Sequence, residues 1–476
     1  MFIPRSHARH FTLVVPGFCS WCTCVALGIC GGLFVVRFAT TGGPAVLISL
    51  GLLTTYGLTL FVTARREGTA FTPITTFFGF AVTHAILGFY SAAPAAVYLI
   101  RPRAGIYNVF DRAFLIVSLG LTAMMLGYLW APRSPRRASV TRFFRVLQGF
   151  DLGTMNRRAR VLVILALPTS AFIFWNLGQI PLFSENLGRD RYVYLFRPEF
   201  LAWTTIYNRC REVFLAVTPL LVLSFFRGRR RFFDLALILL SLAAMLSIAQ
   251  RGPLVSVIYT LAVVSLDKKQ LKFSLVVMPV VLAGYLTTQY YMSRWVGGLS
   301  RANVFEHYGN ALPELRDLAW VMSSDLTPLW GSTFLQALSP LPSSFSEFQR
   351  SVMLRSVTLD AVGIPLDAGH GGLRITFAGE CFINFGMAGV LFLGFLYGTV
   401  CSAFSQAFAL SRADSERSIP PVFLISSLWV LFSFWFYLGG TAAAGVIKFV
   451  LLVMVLLCVP LRRSRRRMPT RSTVEP

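Results

Sequence analysis

Charge is scarce in this sequence. Of 476 residues 13% are charged, where an ordinary soluble chain carries about 25%. Acid is scarcer still, with 20 Asp and Glu against 44 Lys and Arg. Marker motifs of several large enzyme classes are also missing. There is no P-loop, which excludes a P-loop ATPase motor, and no HExxH, no GxSxG elbow and no DxD motif for a nucleotide-sugar metal. No internal repeat is evident, which weakens a repeat-built transporter. Eight cysteines are present, without a disulfide framework. Cys19, Cys22, Cys24 and Cys30 fall inside the first apolar run, and the CxxC of Cys19 and Cys22 lacks the second ligand pair of a zinc site. They read as small buried hydrophobes.

What is abundant is apolar length. Hydrophobic residues make up 55% of the chain and the mean hydropathy is +0.65. Apolar runs recur from end to end, and about 20 such residues cross a hydrocarbon core of about 30 Å as a helix. They do not alternate as barrel strands do. The expected fold is therefore all-α, a polytopic bundle with about twelve transmembrane helices. The runs lie at 11–37, 44–63, 71–98, 113–131, 160–178, 212–226, 232–249, 253–266, 273–292, 378–408, 419–437 and 441–460. The first follows Arg5 and Arg9 like a signal peptide, but it lacks a cleavage site and reads as a retained span. The chain divides into helices one to nine (1–292), a large outer loop (293–377), and helices ten to twelve with a basic tail (378–476).

The net charge of +24 is placed for lipid rather than nucleic acid. Basic residues gather between runs, as in Arg133 to Arg145, Arg227 to Arg231 and Arg462 to Arg467. With both termini in the cytoplasm, inner segments hold 27 of the 44 basic residues and the short outer ones hold 10. That is the positive-inside pattern of an inner (plasma) membrane protein. In the outer loop, Asn310 can cap a helix through Trp320, with Pro313 in its first turn. This helix is expected to lie on the membrane surface or to close over a site.

Ionisable groups at membrane depth are costly and ask for a reason. Gln250-Arg251-Gly252-Pro253 joins spans seven and eight on the outer side. Span eight has about 14 residues, or about 21 Å, so this turn dips below the surface. A helix N-terminus beside a guanidinium suits a phosphate, and the bland alternative is an Arg snorkelling to headgroups. Arg189 and Arg191 stand with Glu185 and Asp190 in a short outer loop, either as anion ligands or as a locally paired cluster. His370, Arg374 and Glu380 mark the return of the long loop to the membrane. A His and a Glu beside Arg supply a general base and a phosphate clamp, or a paired helix entry. Lys448 sits inside the last span, as a partner for Glu380, an anion ligand or a snorkelling group.

These segments, in this order, resemble the oligosaccharide repeat-unit polymerases (Wzy-type O-antigen and exopolysaccharide polymerases). The stretch Gly178-Gln-Ile-Pro-Leu-Phe with Arg189 and Arg191 is similar to one family loop, and Gln250-Arg251-Gly252-Pro253-Leu254 to its SRGPL turn, with Gln250 where Ser is common. Glu314-Leu-Arg-Asp, Gly331-Ser-Thr-Phe-Leu, and Gly379-Glu380 through Asn384-Phe-Gly386 are similar to its long loop and following helix, though Leu341-Pro342-Ser343-Ser344 replaces a Pro-Arg pair. The resemblance implies a GT-C-like, metal-independent membrane glycosyltransferase without a cofactor. It implies undecaprenyl-diphosphate-linked oligosaccharides as substrates, and a chain-length regulator and flippase as partners. Arg191, Arg251 and Arg374, with Arg189 and Arg316, are then diphosphate or glycan contacts, and His370 or Glu380 the base. The alternatives are an O-antigen ligase and a transporter or flippase of lipid-linked sugars.

Overall fold

The computed structural model describes residues 44–67, 72–99, 106–131, 152–178, 201–227, 232–247, 314–324, 328–334, 354–363 and 375–413, with Ile180, Phe183 and Leu373 besides. Every regular element among them is helical. The helices are α1 (Pro44–Glu67), α2 (Pro73–Leu99), α3 (Ile106–Trp130), α4 (Leu152–Leu177), α5 (Leu201–Arg227), α6 (Phe232–Leu246), α7 (Glu314–Met322), α8 (Leu354–Ala361) and α9 (Thr376–Ala413). Four of them, α1, α3, α4 and α9, are long and apolar enough to cross a membrane. Seven expected runs coincide with α1 to α6 and α9. The runs at 11–37, 253–266, 273–292, 419–437 and 441–460 lie outside the described residues.

Local chemistry explains where these helices start and how they tolerate polar residues. Thr72 and Thr75 cap the start of α2 reciprocally: the Thr75 amide donates to Thr72 Oγ1 at 3.1 Å, and the Thr72 amide to Thr75 Oγ1 at 2.8 Å. Pro73 takes the first helical position, where no amide hydrogen is needed. On α1, the hydroxyls of Ser49, Thr55 and Thr59 donate to carbonyls four residues back at 2.8–2.9 Å, which suits an apolar surround.

The core groups α1, α2, α3, α7 and α9 in one region and α4, α5 and α6 in another, within one continuous cluster of buried apolar residues. Helix α2 lies antiparallel to α3, with Phe89 stacked on Phe114 at 4.5 Å and Phe78 edge-on to Tyr128 at 5.6 Å. Arg66, in the last turn of α1, donates to the Leu129 carbonyl near the end of α3 at 2.8 Å. Helices α4 and α5 pair antiparallel through Phe172–Trp203 and Phe174–Tyr207.

The tenth run is not one straight span. Gly386, at φ 65° and ψ −157°, interrupts α9. Phe377 and Tyr397 would stand about 30 Å apart on a straight helix, yet their rings are 5.0 Å apart. The first part, 376–385, therefore folds back along the second, 387–413. Of the two parts, only the second is long enough to cross a membrane by itself. It runs in the same direction as α3, with Gly394 against Gly120 and Gly398 against Met124. A methyl group at Gly398 would collide with the Met124 carbonyl, so the two backbones meet closely, as small residues permit in membranes.

Candidate functional site

The break at Gly386 sets up the site. A helix that stops leaves its last carbonyls without amide partners. Here a strap, residues 328–334, supplies them: the Leu329 amide donates to the Ile383 carbonyl and the Trp330 amide to the Asn384 carbonyl, each at 3.0 Å. Gly331 takes φ +86°, and an added Cβ would lie 2.8 Å from the Phe385 ring. Phe334 stacks on that same ring at 6.1 Å.

Under the strap lies a buried polar network. Glu380 is 0% exposed. The Thr333 hydroxyl donates to Glu380 Oε1 at 2.9 Å. Asn384 Nδ2 donates to Thr333 Oγ1 and to the Glu380 carbonyl, both at 2.8 Å. The second contact fixes which way the amide faces, and it leaves Asn384 Oδ1 buried with no hydrogen-bond partner. Such an orphan acceptor is costly unless a ligand or water satisfies it.

Helix α7 closes the other flank. Glu314 and Asp317 occupy its first turn, where carboxylates suit the helix dipole. The expected outer-loop helix is thus present over Glu314–Met322, but it is packed into the bundle rather than laid on a surface. Leu318 presses on the place where a Gly379 Cβ would stand, 2.9 Å away. Glu314 Oε2 meets His84 Nε2 of α2 at 2.8 Å. His84 lies near the middle of the 27-residue α2. An ionisable group in that run is a signal the sequence carried, and its partner was hidden by a separation of 230 residues.

Of the sequence-derived site residues, the structure describes two. Glu380 is the buried centre of the network. Arg316 is turned to its own neighbour, with Nε at 3.1 Å and Nη2 at 2.8 Å from Asp317 Oδ1. Arg189, Arg191, Arg251, His370, Arg374 and Lys448 lie outside the described residues. Thr333 and Asn384 belong to stretches quoted above, but their service to Glu380 required the fold. A second set of charges sits on α5. Helix α5 begins at Leu201, earlier than the expected 212, so Arg209, Arg211 and Glu212 lie within it, and Glu212 accepts from Arg209 at 2.7 Å.

Buried Cys210, Cys381 and Cys401 are free thiols. Among the described residues no group of His, Cys, Asp and Glu is arranged to hold a metal. A carboxylate, a hydroxyl and an amide on a broken helix can accept a proton and orient a hydroxyl. The described chain thus belongs to the helical membrane proteins. Comparison with protein-family models, curated proteins and solved structures gives no match.

Proposed function

We propose that this chain polymerises undecaprenyl-diphosphate-linked oligosaccharide repeat units on the outer face of the inner membrane. It is read as a GT-C-like bundle of about twelve spans with both termini in the cytoplasm. The observation that carries the reading is convergence. Three separate stretches that resemble the polymerase long loop and following helix meet around one buried carboxylate. Thr333 of the second donates to Glu380 of the third, Asn384 of the third donates to Thr333, and Leu318, the residue that follows the first, packs on Gly379.

In this reading a hydroxyl of the incoming repeat unit attacks the anomeric carbon of the growing glycan. The bond from that carbon to the lipid diphosphate breaks, with inversion. The hydroxyl proton passes to Glu380, in the place the Thr333 hydroxyl now holds, with His370 the alternative base. Arg191, Arg251 and Arg374 take the charge developing on the departing diphosphate, and Arg189 and Arg316 contact the substrate. The donor is already activated, so neither ATP nor metal is required.

Purified protein with lipid-linked repeat units is expected to lengthen glycans in EDTA without ATP, and Arg251→Ala is expected to insert normally but to abolish extension. Near-normal chain lengths from Arg251→Ala would sink the diphosphate clamp. Loss of the gene leaves single repeat units on the surface acceptor, whereas loss of a ligase leaves none. The position of the His84–Glu314 pair, near mid-length of α2, favours a transporter of lipid-linked sugars as the second reading. Movement of repeat units across proteoliposomes with no change in their length would decide for it.

A further inference from the structure

We propose that His84 of α2 is a positioning residue for Glu380: through Glu314 it braces α7 against the first turn of α9 and so holds the carboxylate in place. The role deepens the polymerase reading, and its bearing on chain extension rests on that reading.

Helix α2 is a costly place for an imidazole. From Pro73 to Leu99, His84 is the only residue among His, Lys, Arg, Asp and Glu. Its Nε2 stands 2.8 Å from Glu314 Oε2, with His84 partly buried and Glu314 buried. Asp317 of α7 is met by its own neighbour Arg316, and the other buried residues of that helix, Leu315, Leu318, Ala319 and Val321, are apolar. Apolar contacts alone would seat this face, but they tolerate sliding. A polar pair in such an interface adds little net stability and instead fixes register, because a shift separates the two groups.

The register of α7 reaches Glu380 through one contact. Glu314 and Leu318 lie one turn apart, on one side of the helix. Both methyls of Leu318 press on Gly379: a Cβ there would lie 2.9 Å from one and 3.4 Å from the other, and 3.0 Å from the Cβ of Ile375. No side chain fits at that position, and the next residue is Glu380. The first part of α9 is therefore gripped twice. The strap binds its last carbonyls, at Ile383 and Asn384, and α7 presses on its first turn. Glu380 stands between the two grips.

A nine-residue helix does not hold itself in water, so α7 keeps its place through these contacts. Close-packed interiors pass a displacement on rather than absorb it. A slip of α7 thus moves Glu380 against Thr333, whose hydroxyl now reaches Oε1 at 2.9 Å. For a proton acceptor that matters, since a misplacement of about 1 Å can lower a rate about 10²-fold.

Cys381 reports the position of this turn. It is a buried free thiol directly after Glu380, while Cys210 on α5 and Cys401 in the second part of α9 are buried free thiols that serve as references. The full chain in lipid nanodiscs is treated with N-ethylmaleimide, and each cysteine is read by peptide mass spectrometry. Wild type is expected to protect all three. His84→Leu is expected to speed modification of Cys381 about tenfold, by local opening, with Cys210 and Cys401 still protected. His84→Gln, whose amide can donate to Glu314 Oε2, is expected to restore protection. In extension assays His84→Leu is expected to lower kcat about tenfold with KM within about twofold, and His84→Gln to recover most of the loss. Unchanged protection of Cys381 in His84→Leu, parallel exposure of all three thiols, or no rescue by His84→Gln would overturn the brace. If His84→Leu does not insert, Glu314→Leu breaks the same contact from the loop side, with the same outcomes. Labelling needs no turnover, so this failure is separate from that of the polymerase reading, which Glu380→Gln decides by chain extension.

Discussion

The two described regions bury charge in different ways. In the α4–α6 region, Asp234 is buried and closed by one guanidinium, with Arg160 Nε 2.7 Å from Oδ1 and Nη2 2.8 Å from Oδ2. Asp234 stands in the first turn of α6 and Arg160 in the third turn of α4, so the pair ties the two helices together. Tyr207 adds a bond to the Ala244 carbonyl at 2.7 Å, and Glu212 is met by Arg209. In the α2–α3–α7–α9 region, Glu380 receives a hydroxyl and Glu314 an imidazole, from segments far away in the chain. The first arrangement locks helices, and its value lies in matched opposite charge. The second holds carboxylates against an uncharged hydroxyl and an imidazole drawn from distant segments, beside a broken helix and an orphan acceptor.

The sharpest break in this comparison is Glu380→Gln. It keeps the Thr333 contact and the packing but removes the proton acceptor. Chain extension is expected to fall about 10²–10⁴-fold, read from glycan ladders at equal protein level. Unchanged ladders would place Glu380 with the structural charges. Asp234→Ala is the counterpart. Leaving a partly buried Arg160 without its carboxylate destabilises by about 3–5 kcal/mol, read as a lowered unfolding temperature of the purified protein. The Arg160→Met, Asp234→Leu double variant recovers much of that loss, since it leaves no unpaired charge. A double variant as unstable as the single would show that the pair does more than neutralise.

Gly398→Val probes the packing beneath the site. It forces α3 and α9 apart and costs about 1–3 kcal/mol as overpacking, seen as less folded protein after detergent extraction. Thr72→Ala is the smallest change. It removes one side of the reciprocal cap of α2 and costs about 1 kcal/mol, a shift of a few degrees in unfolding temperature with chain extension intact.

Most of the secondary structure was legible because a bilayer leaves backbone groups no partner outside their own helix. Long apolar runs therefore announce helices, and seven of twelve coincide with described ones. Where expectation and structure part, a local feature outweighs hydropathy. Helix α5 starts at Leu201 because buried Tyr207 and the paired Arg209–Glu212 extend it beyond the apolar run. Gly386 looked like an ordinary glycine in an apolar stretch, and nothing local distinguished a kink from a reversal. The site was half legible. Glu380 stood out as a carboxylate at membrane depth, and its neighbours were quoted in the right stretches without roles. His84 was passed over because its partner lay in a distant loop.

The sequence by itself determined that this chain is a bundle of membrane helices. Apolar length, sparse charge and clustered arginines act locally, and each run meets the bilayer on its own terms. Only the tertiary structure decided that the loop enters the bundle, that α9 folds back at Gly386, and that Thr333 and Asn384 attend Glu380. Those outcomes rest on carbonyls freed by a broken helix being satisfied by amides some 54 residues upstream, a pairing that no periodicity in the sequence records.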